Sequence, residues 1–354
     1  MIYRSCGALA LLGMLAACTE PKPIDIPQEK PPTNPTGGAT GITSPTGTTT
    51  GTSVTTGTTP TGLVYDCSLM PEWPTSVNNI TGPARGYHDI AFTDDGFIVG
   101  QDTDDNMIRV NQYGDIELFV ASGQLNILEQ FDREANGDLL VAKPSNSSLS
   151  RITTAGAVSV LASGFATNGY ALYGVTVGPY GNAWVADTDN IYKVDVTTGQ
   201  KWAMIGNGFE PKVVNFNHDG SLMYFGTFTD GGKIWEVPMD TTLMEATAPP
   251  VLFADNVGSW HDGIGVDACG NVYLADYTDN ALYRITPTGR VQAISDPGFD
   301  AYGHGLRWGN GVGGWRDDAI YQPQPYNSNK VVEVVVEVPF RTFPGTVIGT
   351  PTFW

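Results

Sequence analysis

The stretch HDGIGVDACGNVYLADYTDNALYRITPTG, His261 to Gly289, decides the fold. It reads as an apolar strand, a tight turn closing on Gly270 and a second apolar strand. A loop of Asp, Thr and Asn follows, then a third strand in which apolar and polar residues alternate. The stretch YGVTVGPYGNAWVADTDNIYKVDVTTG, Tyr173 to Gly199, repeats the phrase. Aligned on Gly96, Gly137, Gly181, Gly220, Gly270 and Gly311, the copies recur every roughly 40–50 residues, the period of a β-propeller blade. Six copies predict an all-β chain: a six-bladed β-propeller of four-stranded antiparallel blades. No segment beyond the extreme N-terminus shows helical periodicity.

Within each copy the inner strands are predicted over His88–Phe92, Glu129–Arg133, Tyr173–Val177, Lys212–Phe216, Asp262–Val266 and His304–Trp308. Turn dipeptides fall where hairpins need them, at Asp95-Gly96, Asn136-Gly137 and Asp219-Gly220. The up-and-down order puts the loops after the second strands on the face where the inner strands begin, called the top here. Asp102–Asn106, Asp187–Asn190 and Asp276–Asn280 make that face acidic, although Asp, Thr and Asn also serve as turn formers that bond their own backbone. The sixth copy is longer between its first and second strands. Its closing outer strand is expected from residues near Val64–Trp73 or Thr342–Phe353.

The ends carry other information. Arg4 precedes an apolar run, Ala8 to Ala17, too short for an ordinary membrane span and shaped like a signal peptide. It ends in Leu15-Ala16-Ala17-Cys18, which resembles the lipobox of bacterial lipoproteins. Residues 1–17 are therefore expected to be a leader, and Cys18 the lipidated first mature residue. That implies a membrane partner through the lipid, and a place in the bacterial cell envelope. Thr19 after the cysteine favours the outer membrane, on its periplasmic side or at the cell surface. Residues 18–62, rich in Thr, Pro, Gly and Ser, have almost nothing to bury and read as a disordered tether. A coil of that length spans roughly 35–40 Å. The propeller is assigned to 63–354. Cys6 leaves with the leader, so Cys67 and Cys269 remain, either as one disulfide in an oxidising compartment or as two thiols.

The chain has 354 residues, with Lys+Arg 18 against Asp+Glu 37 and a formal charge of -19. That balance excludes nucleic acid as a partner, since phosphate binding needs a basic face. It suits neutral ligands, divalent cations or a protein partner. No nucleophile elbow, phosphate-binding glycine loop or cysteine metal cluster is present.

The phrase HDGIGVDACGNVYLAD resembles the signature of the senescence-marker/gluconolactonase family, six-bladed propellers in which Pro-Asp-Gly opens one inner strand. NHL-type propellers share much of the phrase. The resemblance runs from about Gly86 to Val338 and implies a divalent cation in the central channel and hydrolysis of sugar lactones. The ligands it implies are a Glu, an Asn and the Asp of Pro-Asp-Gly. Here they fall on His88, Lys212 and Asp262, so two of three are changed, and a protonated Lys has no lone pair to offer a metal.

The same position in successive repeats carries His88, Glu129, Tyr173, Lys212, Asp262 and His304. Only 4 His occur in the chain, and two of them fall at this position. His88, Glu129, Asp262 and His304 are candidate metal ligands, better suited to zinc, iron or manganese than to calcium. Glu129 or Asp262 is a candidate base, and Lys212 or Tyr173 a candidate stabiliser of developing negative charge. Two readings stand: a metal-assisted hydrolase or lyase acting on a small-molecule lactone, ester or related carbonyl compound, and a non-catalytic binding propeller with a degenerate site. His88 and His304 also suit simple bonds to a neighbouring blade, and Glu129 and Lys212 a structural ion pair.

Overall fold

A computed structural model describes residues 65–80, 88–126, 128–165, 172–206, 208–227, 231–279, 281–294, 303–325 and 330–341. The expected leader, Cys18, the tether and the alternative closing segment at 342–353 lie outside these residues.

Six antiparallel sheets follow one another along the chain. The first blade runs Ala91–Phe92, Phe97–Gln101, Met107–Asn111, Ile116–Val120. The second runs Phe131–Arg133, Leu139–Lys143, Ser148–Ile152, Val158–Ser163. The third runs Leu172–Val177, Ala183–Asp187, Asn190–Val194, Lys201–Gly206. The fourth runs Pro211–Phe216, Leu222–Thr227, Ile234–Asp240, Val251–Ala254, with an extra short strand, Glu245–Ala246, paired to the end of the third. The fifth runs His261–Val266, Val272–Asp276, Leu282–Ile285, Val291–Ile294. This is the six-bladed propeller that the repeats predict. Apolar side chains of neighbouring sheets interleave: Trp184 meets Phe216 across the third and fourth blades, and Tyr273 meets Trp308 across the fifth and sixth. Both are edge-on contacts of the kind aromatic rings favour.

The sixth blade closes the ring. Arg307–Trp308, Ala319–Gln324 and Lys330–Val335 come from the C-terminal part, while its outer strand, Ser76–Ile80, comes from the start of the domain. The closing strand thus lies just after the 64–73 segment expected from the sequence. Ser76-Val77-Asn78-Asn79-Ile80 has little apolar character of its own. Its pairing with the valine-rich 330–335 strand, Ser76 opposite Val335 through Ile80 opposite Val331, makes it a strand. Just upstream, Cys67 and Cys269 form a disulfide that ties this entering segment to the fifth blade, Cα–Cα 5.6 Å. The long sixth-blade loop rests on the first blade. Gly96 and Gly313 pack backbone to backbone, where a Cβ on either would collide, and the Trp315 indole donates to the Gly96 carbonyl at 2.9 Å.

After the last strand, residues 336–341 run across the bottom of the ring. Trp308 Nε1 donates to the Val338 carbonyl, Phe340 bridges Asp267, and the Arg341 amide donates to the Val266 carbonyl. This strap delivers Arg341 to the channel axis.

Candidate functional site

The first residues of the inner strands do not sit in regular ladders. In the third, fourth and fifth blades the register slips between Leu172 and Gly174, Pro211 and Val213, and His261 and Gly263. The extra residues are Tyr173, Lys212 and Asp262. A bulge re-aims the side chain it carries, and here each bulged residue is the one at the repeat position singled out above. In the first, second and sixth blades the regular strand begins later than the sequence predicts, at Ala91, Phe131 and Arg307. His88, Glu129 and His304 precede those strands. The backbones of the last two are held through the Glu129 amide, which donates to the Ala142 carbonyl, and the His304 amide, which donates to the Pro323 carbonyl.

The six side chains meet at the top of the channel. His88 Nδ1 lies 3.4 Å from Glu129 Oε2. The His88 and His304 rings stack, centroids 4.6 Å apart and planes 14° from parallel. His304 Nδ1 lies 2.6 Å from Asp262 Oδ2, and the Lys212 ammonium pairs with Asp262 Oδ1. Lys212 Nζ also faces the Tyr173 ring at 5.2 Å and the Trp260 ring at 4.9 Å. Tyr277 stands edge-on to His304 at 5.0 Å and packs on Trp260. Beneath them the Gln130 amide crosses from the second blade to donate to the Asp262 carbonyl, 2.5 Å, forming the floor.

Exposure grades across the group. The His88 and Glu129 side chains are 20% and 15% exposed, whereas those of Lys212, Asp262 and His304 are at 4–5%. Burial works against a charged His88, but the Glu129 bond and charge outweigh it and hold the imidazole above its ordinary pKa. Burial likewise opposes ionisation of Asp262, yet the Lys212 ammonium and then His304 hold its carboxyl well below the usual carboxylate range.

Other histidine and aspartate candidates serve structure. His261 is buried between blades, its Nδ1 accepting from the Thr227 amide and its Nε2 donating to the Val257 carbonyl, and burial pushes its pKa down. The aspartates that open the acidic top loops bond backbone. Asp102 accepts from the amides of Asp104 and Asn106, Asp187 from Asp189 and Asn190, and Asp276 from Ser259, Trp260, Thr278 and Asp279. The sequence did not expose Trp260, Tyr277 or Gln130 as members of the site. The available signal was position: Trp260 lies two residues before Asp262, Tyr277 follows the Asp276 that opens a top loop, and Gln130 follows Glu129.

The metal expectation meets a geometric obstacle. Imidazole lone pairs lie in the ring plane, and a metal–nitrogen bond is about 2.0–2.1 Å. Two nearly parallel stacked rings cannot both direct lone pairs to one ion at that distance. Both Asp262 oxygens already face Lys212 and His304. Among the described residues, no group of three or more His, Cys, Asp or Glu side chains is placed to hold a metal. His88, Glu129, Asp262 and His304 are brought together, but not as the shell of a single ion.

Comparison with known proteins adds a family match. A family model described as SMP-30/gluconolactonase/LRE-like region matches residues 94–299, more than half of the chain. Among solved structures, a gluconolactonase from Xanthomonas campestris superposes with TM-score 0.58 at 12% identity, covering 78% of this chain and 94% of that one. A regucalcin from Agrobacterium tumefaciens, described as a calcium-binding protein, gives TM-score 0.59 at 17% identity, covering 72% and 92%. A virginiamycin B lyase from Staphylococcus aureus gives TM-score 0.51 at 16% identity, covering 74% and 88%. At these identities the likeness is one of fold. No curated relative matches the chain by sequence.

Proposed function

The chain belongs to the SMP-30/gluconolactonase/LRE-like family, and on that premise we propose that the top of its channel is a small-molecule site where a lactone or related ester is hydrolysed by acid–base chemistry. The observation that carries the reading is a partly exposed imidazole–carboxylate pair, His88 with Glu129, stacked on a second and buried one, His304 with Asp262. In this reading Glu129 orients the His88 ring through Nδ1, and the imidazole acts on a water. The water oxygen bonds to the ester carbon while its proton passes to His88. The ring C–O bond then breaks, and the departing alkoxide takes that proton back, so water and lactone become a hydroxy acid. Lys212 and Tyr173 are the groups assigned to the developing oxyanion. Asp262, with both oxygens engaged, holds Lys212 and His304 in place.

The test is proton release from simple five- and six-membered lactones by the purified propeller, compared with His88→Ala and Glu129→Gln. Wild-type turnover that both variants lose supports the reading; wild-type turnover that survives both, or none at all, overturns it. The buried Lys212–Asp262–His304 group, in which both Asp262 oxygens are engaged, favours a second reading, a binding propeller without catalysis. Ligand-dependent thermal stabilisation without turnover would establish that one.

We further infer from the lipobox-like Leu15-Ala16-Ala17-Cys18 that the propeller is held at the bacterial envelope by a lipid on Cys18, with the outer membrane favoured by Thr19. Detergent-phase partitioning of the full chain, lost in Cys18→Ala, tests this.

A further inference from the structure

The cation that this site is built around is part of the chain. Asp262 is a carboxylate at 5% exposure, and a buried carboxylate needs a compensating positive charge. That charge is the Lys212 ammonium, itself at 4% exposure. The ammonium is enclosed on three sides: by Asp262 Oδ1, by the Tyr173 ring at 5.2 Å and by the Trp260 ring at 4.9 Å. Aromatic faces attract a compact ammonium and offer nothing to a hard divalent ion, which demands oxygen atoms in a shell of six to eight for calcium. The backbone reinforces the choice, because the bulge at Lys212 and the bulge at Asp262 aim the two side chains at each other. A divalent ion on Asp262 would have to share an oxygen with Nζ and would stand within a few ångströms of a second positive charge.

We propose that the Lys212 ammonium is a resident substitute for the divalent cation that the family resemblance implies at positions 88, 212 and 262, and that it keeps such ions out. The proposal concerns the same pocket as the proposed function but holds whether or not the pocket is catalytic. Its readouts are therefore metal content and metal-dependent stability, neither of which depends on lactone turnover.

Elemental analysis of the wild-type protein, purified without chelator, is expected to show no stoichiometric calcium, zinc, iron or manganese. Its thermal midpoint is expected to be unmoved by millimolar calcium or by EDTA. Lys212→Asn replaces the cation with an oxygen donor and is expected to make the midpoint rise with calcium. The double variant His88→Glu/Lys212→Asn adds a second carboxylate and is expected to bind calcium at least about tenfold more tightly by calorimetry, since affinity follows ligand charge and number. Adding Asp262→Asn to it is expected to abolish the response.

Stoichiometric metal in the wild-type protein overturns the proposal. So does a double variant that is folded by circular dichroism yet indifferent to calcium. Where the variants fail to fold, the wild-type metal content and EDTA response decide alone.

Discussion

The two ends of the channel are built from the same six inner strands, yet they spend their charges differently. At the top, His88, Glu129, Lys212, Asp262 and His304 bond one another across blades. Three residues further along, the charged and amide side chains also bond backbone. Asp132 accepts from the Val177 amide, and Asn215 donates to the Ile264 carbonyl. Arg307 donates to the Phe131 carbonyl and pairs with Asp89 at 2.6 Å. Arg341, brought by the strap, donates to the Phe216 carbonyl and to Asn215 Oδ1, and burial pulls its guanidinium down to about 9, still charged at neutral pH. Convergence on the axis is therefore a property of the ring and marks no function by itself. The distinguishing sign is a pair with both partners partly exposed: His88 and Glu129 are at 20% and 15%, whereas Asp89, the partner of Arg307 below, is fully buried. That difference is why the proposed site is assigned to the top, and the bottom is read as a clamp.

The contrast can be broken most forcefully at its most buried pair. Lys212→Met leaves the Asp262 carboxylate without its counter-ion and is expected to cost about 3–5 kcal/mol in urea unfolding. A cost of about 1 kcal/mol or less would mean that the upper charges are solvated and that the grading of exposure misleads. At the other end, Arg341→Ala strips partners from a buried carbonyl and amide oxygen and is expected to cost about 1–3 kcal/mol. Lactone turnover or ligand affinity at the top should stay unchanged; a parallel loss would show that the two ends are not separate. His88→Ala should move stability by no more than about 1 kcal/mol, since its pair with Glu129 is partly exposed. The same change should lower any hydrolytic rate by about 10²–10⁴-fold.

The last effect is in pH. The folded-state pKa of Asp262 lies below its unfolded value of about 3.9. Its contribution is thus complete above that value and is lost as the pH falls through it toward the folded pKa. Stability should decline below about pH 4, and Asp262→Asn should flatten the decline in that window. An unchanged slope would remove Asp262 from the acid response.

Much of this was legible before any coordinates. The hairpin turns demand residues at positive φ, and Gly96, Gly137, Gly220 and Gly270 supply them at regular spacing, with φ between +74° and +91°. The ring then follows, and with it the meeting of one repeat position from every blade. What stayed hidden depends on long-range partners. Ser76–Ile80 carries no strand signature until it meets the 330–335 strand. The bulges that aim Tyr173, Lys212 and Asp262 leave no local mark, because a register slip is a relation between two strands. Whether two imidazoles face a common point or stack is a matter of ring orientation, which spacing does not encode. Gln130 read as a strand residue beside Glu129, since nothing in its neighbourhood announces a partner in the opposite blade.

The covalent link between Cys67 and Cys269 lies ahead of Ser76–Ile80 in the chain. Any pull arriving from the N-terminal side is therefore taken up by a sulfur–sulfur bond on the fifth blade before it reaches the hydrogen-bonded seam of the sixth. The five-residue seam is thereby placed downstream of a covalent crosslink, and a force on the preceding segment would meet that crosslink first.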